Sequence, residues 1–531
     1  MKKQQNTFIK FILSFFMAQF AYSQAKELPQ NWQNLDFGKD GIHGVSTEKA
    51  YNELLKGKKS KKIIVAVIDS GVDIGHEDLK DNIWTNPSEI PANGIDDDKN
   101  GYIDDMNGWD FLGNKNGQDL KDETLEVTRE VARLTQKMLK MGKDSTKDVE
   151  FEYYQKVKGI YTQEQQENFQ YLTAYRLIST DIESATALLK EKTKLKEITE
   201  ESIKDLVSDD KKVMEAKAML AYYFSKGITI EKIKDGLNDL AGKENYGFNL
   251  NFDGRKIIGD NPTVFKENNY GNAEVQGPDA LHGTHVAGII AANRNNNLGI
   301  LGIADNVQIM VIRAVPNGDE RDKDIVNAIK YAVNNGAKII NMSFGKSLSP
   351  NKTEVDEAVL YAQSKGVLMI HAAGNDNKNV DLGDNFPNAK LKNSEQTLDN
   401  WIEVGANAPF DDASLPASFS NFGKKTVTLF APGTSILSTT PNGKYLEEDG
   451  TSMAAPVVSG VAALVWSYFP ELSYLQLKEI LMKSVAIPSN IDRTLPGTED
   501  KINFSELSVT GGIVNAYNAI ILASQQSKMI K

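Results

Sequence analysis

The run Ile63-Ile64-Val65-Ala66-Val67-Ile68 constrains this chain more than any other segment. Six consecutive apolar residues, five of them β-branched, leave no polar face for water. Such a run reads as a strand covered on both faces, which is the habit of parallel sheets. It stops at a turn, Asp69-Ser70-Gly71. Similar runs recur at Ile309 to Ile312, Lys338 to Met342, Val367 to Ile370, Ile402 to Val404 and Val427 to Phe430. Helical periodicity separates several of them, as at Asp324 to Val333 and Val355 to Ser364. Strand, helix, strand at this spacing predicts an α/β fold, a doubly wound, mostly parallel sheet with helices on both faces. Ligands in such folds sit beyond the carboxyl ends of the strands.

From about Asp119 to Gly242 the strand signals vanish and Lys, Glu and Gln become frequent. Val127, Val131, Leu134, Met138 and Met141 form one face of an amphipathic helix, which Gly142 can stop. Val213 to Phe224 and Ile230 to Leu240 read as further helices. The expected organisation is an all-helical insertion over 119–242, within an α/β domain built from 61–118 and 243–525. A lead-in covers 24–60 and a short tail 526–531.

The first 23 residues read as a signal peptide. Lys2, Lys3 and Lys10 precede an apolar run from Phe11 to Ala21, and Ala21-Tyr22-Ser23 offers small residues for cleavage before Gln24. A retained anchor is the alternative, but the run is short for a span. No later segment reads as long and apolar enough, so export without a membrane anchor is expected. The chain has no cysteine, which excludes disulfides, thiolate metal sites, cysteine nucleophiles and an acylated-cysteine anchor. Its net charge of −12 argues against nucleic acid and anionic lipid as partners and is compatible with calcium.

Three segments carry the chemistry: Val65-Ala66-Val67-Ile68-Asp69-Ser70-Gly71, His282-Gly283-Thr284-His285-Val286-Ala287-Gly288 and Gly450-Thr451-Ser452-Met453-Ala454-Ala455-Pro456. A serine hydroxyl needs a base to take its proton, and a histidine suits that task at neutral pH. An aspartate on the other imidazole nitrogen fixes the tautomer and stabilises the imidazolium. Ser452 opens an apolar helix, Ala454 to Val465, so its N–H is free to point into a site.

The three segments, in this order, resemble the signatures of the subtilisin-like serine peptidases. The resemblance implies an endopeptidase acting through an acyl-enzyme, with Asp69, His282 and Ser452 as the catalytic triad and protein or peptide substrates. It implies no cofactor for catalysis. Ala372-Ala373-Gly374-Asn375 resembles the segment whose asparagine donates to the tetrahedral oxyanion, which adds Asn375 to the catalytic set. Asn341-Met342-Ser343-Phe344-Gly345 resembles the strand that pairs with extended substrate. Ser343, Phe344, Gly345, Ala373 and Gly374 are thus the substrate-binding candidates, and the glycines lean towards a large P1 residue.

Other readings were open to these residues. His282 and His285, three apart, are a possible metal pair, but no HExxH pattern or third ligand accompanies them. His285, His76 and His371 read as structural. A catalytically silent binding protein on the same fold is the main alternative function, although no triad residue is missing.

Asp96-Asp97-Asp98-Lys99-Asn100-Gly101-Tyr102-Ile103-Asp104-Asp105 is the remaining cluster. Asp96, Asp98, Asn100, Tyr102 (through its carbonyl) and Asp104 fall at ligand positions of an EF-hand-like loop, with Gly101 at the sharp turn. Asn107 stands where the bidentate glutamate belongs, and flanking helices are not evident. The expectation is a structural calcium site; the alternative is a solvated acidic turn. Two departures from the family stand out. Asp69 and His282 lie 213 residues apart because of the insertion, which is expected to restrict substrate access or bind a partner. The segment before the first strand is also too short for the usual prodomain.

Overall fold

The computed structural model describes residues 28–383 and 385–530, the side chains of 528–530 excepted. The expected signal peptide lies outside the described residues. The chain forms two compact units, one of 28–126 with 253–530 and one of Val127–Phe252.

In the first unit seven strands form one sheet: β1 Ile63–Asp69, β2 Gly108–Asp110, β3 Val307–Arg313, β4 Ile339–Met342, β5 Leu368–Ala372, β6 Trp401–Asn407 and β7 Leu429–Pro432. Their order is β2-β3-β1-β4-β5-β6-β7, and every neighbouring pair is parallel. The longer helices are α1 Leu281–Ala291, α2 Asp322–Asn334, α3 Lys352–Ser364, α4 Thr451–Tyr468, α5 Tyr474–Lys483 and α6 Ala516–Ile530.

Side-chain alternation along the strands assigns the helices to faces. Val65, Val67, Ile309, Val311, Leu368, Ile370 and Val404 pack with apolar residues of α1, α4, α5 and α6. Ala66, Ile68, Met310, Ile312, Ile340, Met342 and Met369 pack with those of α2 and α3. Each fully buried aliphatic side chain contributes about 1.5–3 kcal/mol. The continuous apolar runs are therefore the residues that two helical layers require.

Helix α4 corrects one expectation, because by length and composition it is able to cross a membrane. It is instead the central core helix, with 89% of that stretch buried. The lead-in is also part of the core. Trp32 is 1% exposed and donates its indole N–H to the Thr434 and Ser435 carbonyls.

The second unit is helical, with Phe151–Lys192, Lys211–Ser225 and Ile230–Gly242 following the helix Glu126–Met141. Ile182, Leu189, Ile203, Val213, Leu220, Phe224 and Ile233 form its own core. Asp210 and Thr229 cap two of the helices through Lys212 and Lys232 N–H groups. The 42-residue helix Phe151–Lys192 has no counterpart in the sequence reading. Its buried face mixes Tyr154, Asn168, Ala174, Ser179 and Ala185 with a few aliphatics, so the apolar stripe is thin. Tyr161 donates its hydroxyl to the Phe248 carbonyl at 2.8 Å, so the unit extends past Gly242.

Candidate active site

Asp69 ends β1, beside the point where strand order reverses between β1 and β4. It is 1% exposed, and its Oδ1 accepts from His282 Nδ1 at 2.7 Å and from the Ser70 N–H at 2.8 Å. A carboxylate accepts only, so Nδ1 carries the hydrogen and Nε2 is left as the base. His282 is the second residue of α1. The next residue explains how the helix gets so close. A Cβ on Gly283 would lie 2.1 Å from the Gly71 carbonyl oxygen, so only glycine fits. Burial pulls the His282 pKa down, but the charge and hydrogen bond of Asp69, helped by Glu448 and Asp279, outweigh it and hold the pKa above its ordinary value.

Ser452 is the second residue of α4. Its N–H is one of the first four that a helix start leaves without an intrahelical partner. Its Oγ donates to the Ser343 carbonyl at 3.1 Å. Pro456 explains a second tie. Lacking an N–H, it cannot bond the carbonyl four residues back, which is that of Ser452. Ser343 Oγ donates to that carbonyl at 2.9 Å instead. Asn341 Nδ2 supports Ser343 Oγ at 3.0 Å, and Ser459 Oγ donates to Asn341 Oδ1 at 2.8 Å. A buried polar relay thus joins β4 to α4 directly under the serine.

Asn375 follows β5. Its Oδ1 accepts from both the N–H and the Oγ1 of Thr451 at 2.9 Å, which turns Nδ2 outward as a donor. A Cβ built on Gly450 would meet Asn375 Nδ2 and the Ser452 amide nitrogen, each at 3.5 Å. Two nitrogens that bear N–H groups therefore lie close to one another beside Gly450, and a pair of donors so placed is able to serve a developing oxyanion.

The sequence profile of the subtilase family matches residues 60–505. The chain belongs to the subtilase family. It is similar to the thermophilic serine proteinase of Bacillus sp. strain AK1, with 37% identity over 240 residues, 45% of this chain and 52% of that protein. It is also similar to the major intracellular serine protease of Bacillus subtilis strain 168, with 40% identity over 218 residues, 40% of this chain and 63% of that protein. The chain thus spans about half the length of the first relative. Among solved structures, that of the prenylagaramide maturation protease PagA matches with a TM-score of 0.37 and 30% identity, over 46% of this chain and 82% of that one.

The other histidines of this subtilase are held by backbone or side chain. His285 directs Nε2 to the Leu446 carbonyl at 3.0 Å, and burial pushes its pKa down to about 4. It is a neutral core residue tied to the strand backbone. His76 accepts from the Asp78 N–H and faces the Lys444 carbonyl, and His371 bonds Glu403 at 3.0 Å.

Of the substrate-side candidates, Ser343 touches Ser452, and the Gly374 N–H donates to Thr451 Oγ1 at 3.1 Å. Ser343 is buried, Phe344 half-buried and Gly345 exposed, while Ala373 and Gly374 continue β5 towards Asn375. The two glycines are not bare walls. A Cβ on Gly345 would lie 2.5 Å from Asn385 Oδ1, and one on Gly374 would lie 2.4 Å from Asn421 Nδ2. Both glycines are required by close-packed carboxamides, so they no longer argue for a large P1 residue. Neither asparagine was marked in the sequence, because no local pattern announces a partner far along the chain.

In the acidic loop, Asp96 and Asp98 come together with Glu89, their oxygens within 4.8 Å of one another. Glu89 is 7% exposed, and its Oε2 is buried without a partner. A buried orphan carboxylate oxygen beside two others fits a hard cation with oxygen ligands. Asp104, the remaining expected carboxylate, is not part of this cluster. Asp104 accepts from the Asn93 and Gly94 N–H groups at 3.0 and 2.9 Å. Asn100 Oδ1 accepts from the Tyr102 N–H at 2.8 Å, and the Tyr102 ring packs edge-on against Trp109 and Tyr331.

Proposed function

We propose that this subtilase is an exported serine endopeptidase in which Asp69, His282 and Ser452 form the catalytic triad. The observation that carries this reading is the Asp69 Oδ1 to His282 Nδ1 bond of 2.7 Å, made at the carboxyl end of β1. His282 Nε2 takes the Ser452 proton as Oγ attacks the scissile carbonyl. The imidazolium then gives that proton to the leaving amine, and water repeats the cycle on the acyl-enzyme. Asn375 Nδ2 and the Ser452 N–H take the oxyanion.

The resting hydroxyl is bound to the Ser343 carbonyl, an acceptor that an extended substrate backbone also seeks. A substrate amide that claims this carbonyl releases Oγ for rotation towards His282. Backbone recognition of this kind accepts many sequences, so proteins and peptides are the substrates. The relatives named as serine proteinases support the same chemistry. Export rests on the basic and apolar N-terminal segment.

The test is hydrolysis of casein by purified mature protein beside a Ser452→Ala control. Cleavage by the wild type and its loss in the control are expected. Equal cleavage by both would remove Ser452 from the mechanism.

We also propose that Glu89, Asp96 and Asp98 hold a structural calcium ion. It supplies charge neutralisation to the loop and takes no part in the reaction.

A further inference from the structure

We infer that Asn421 is a positioning residue that fixes the oxyanion-binding loop around Asn375. The inference rests on reading Asn375 as an oxyanion donor.

Asn421 lies between β6 and β7 and is 2% exposed. Its Nδ2 donates to the Ala373 carbonyl at 2.8 Å, and its own N–H donates to the Gly374 carbonyl at 2.9 Å. Its Oδ1 accepts from the Asp376 N–H at 3.1 Å and the Lys378 N–H at 2.8 Å. One residue therefore grips the backbone on both sides of Asn375 and leaves Asn375 itself untouched. Asn375 is exposed, and its own side chain is tied through Oδ1 to Thr451. Thr451 orients the carboxamide, and the backbone beneath it sets the position from which Nδ2 is presented.

The grip leaves no slack. Gly374 has a φ of +102°, and a Cβ there would meet Asn421 Nδ2 at 2.4 Å. That left-handed turn and that contact both demand glycine. The neighbouring backbone adds a frame, with Asn377 N–H on the Phe419 carbonyl at 2.9 Å and Val380 N–H on the Phe422 carbonyl at 2.8 Å. An asparagine that only satisfied a buried loop would add stability alone. This one clamps the segment whose tip must present a donor 2.7–3.1 Å from an oxygen that exists only during reaction. Displacements near 1 Å in such a donor cost on the order of 10²-fold in rate.

The experiment is a double-mutant cycle with Asn421→Ala, Asn375→Ala and both together, measured on a peptide substrate well below each variant's melting temperature. Asn375→Ala should lower kcat by about 10²–10³. Asn421→Ala should lower kcat roughly 10-fold or more with KM little changed, and weaken a peptide boronic acid inhibitor by the same factor. In the double variant the Asn421 change should cost less than about twofold beyond Asn375→Ala alone. Wild-type kcat in Asn421→Ala, or an equal loss in both backgrounds, would overturn the proposal and leave the oxyanion reading intact. An unchanged kcat in Asn375→Ala would overturn the oxyanion reading, and the proposal with it. If Asn421→Ala does not fold, Asn421→Ser replaces it in the same cycle.

Discussion

Asp69 Oδ1 and His282 Nδ1 lie 2.7 Å apart although 213 residues separate them in the chain. The bond fixes which imidazole nitrogen is free, and the carboxylate raises the pKa of the partly exposed ring against its desolvation. A protonated His282 cannot accept the Ser452 proton. Activity is therefore present above the pKa of the folded enzyme and lost as pH falls through it. The acid limb of kcat/KM should have its midpoint above the ordinary histidine value of about 6.5. Asp69→Asn removes the main raising influence and leaves burial, so the midpoint should move down while kcat falls by about 10⁴. A pH profile with the same midpoint in both enzymes would contradict this.

Arg313 ties the chain just after Asp69 to the sheet edge. Its Nε donates to the Ser70 carbonyl at 3.0 Å, and its Nη1 contacts both oxygens of Asp110 at 3.0 and 2.9 Å. Both side chains are almost fully buried. Arg313→Met leaves the buried Asp110 carboxylate without its cation, with the Leu112 N–H still bonded to it, and should cost about 3–5 kcal/mol in chemical denaturation. Replacing both partners, as Asp110→Leu with Arg313→Met, should cost less than the single change. A single variant as stable as the wild type would show that the pair is not a constraint.

Trp32 belongs to the lead-in yet is part of the main core, the same cluster that holds Val45, Leu55 and Ile303. Trp32→Ala should destabilise the protein by about 3–5 kcal/mol. Equilibrium unfolding measures this directly, and a loss below about 1 kcal/mol would mean that the lead-in is dispensable packing.

Calcium should raise the melting temperature, and a chelator should lower it. At a free concentration near 100 times Kd the stabilisation is about 2.7 kcal/mol. Glu89→Gln and Asp96→Ala should each reduce that shift, because each removes a charged ligand oxygen. Calorimetry with no heat of binding and no melting shift in the wild type would exclude the ion.

What the sequence showed depended on how local each signal was. Strands such as Ile63–Asp69 were legible because two covered faces require an unbroken apolar run. Asp69, His282 and Ser452 were legible because each sits in a short motif whose glycines and small residues serve close approach. The start of α4 lay earlier than the apolar pattern indicates, at Thr451, since Thr451 and Ser452 are polar and still helical. The hairpin Ile436–Thr440 with Lys444–Glu448 went unseen, as one of its strands is largely exposed. Asn421, Asn385 and Glu89 were illegible for a different reason. Each is a single polar residue without a motif of its own, and its role appears only when distant backbone or another carboxylate comes beside it.

Fluorophosphonate labelling of the mature wild type and of Ser452→Ala, read by intact mass and peptide mapping, tests the proposed mechanism most directly. A single adduct on Ser452, abolished in the variant and slowed in His282→Ala, is the expected result. A folded wild type that takes no label with calcium supplied, or one labelled elsewhere, would contradict the triad.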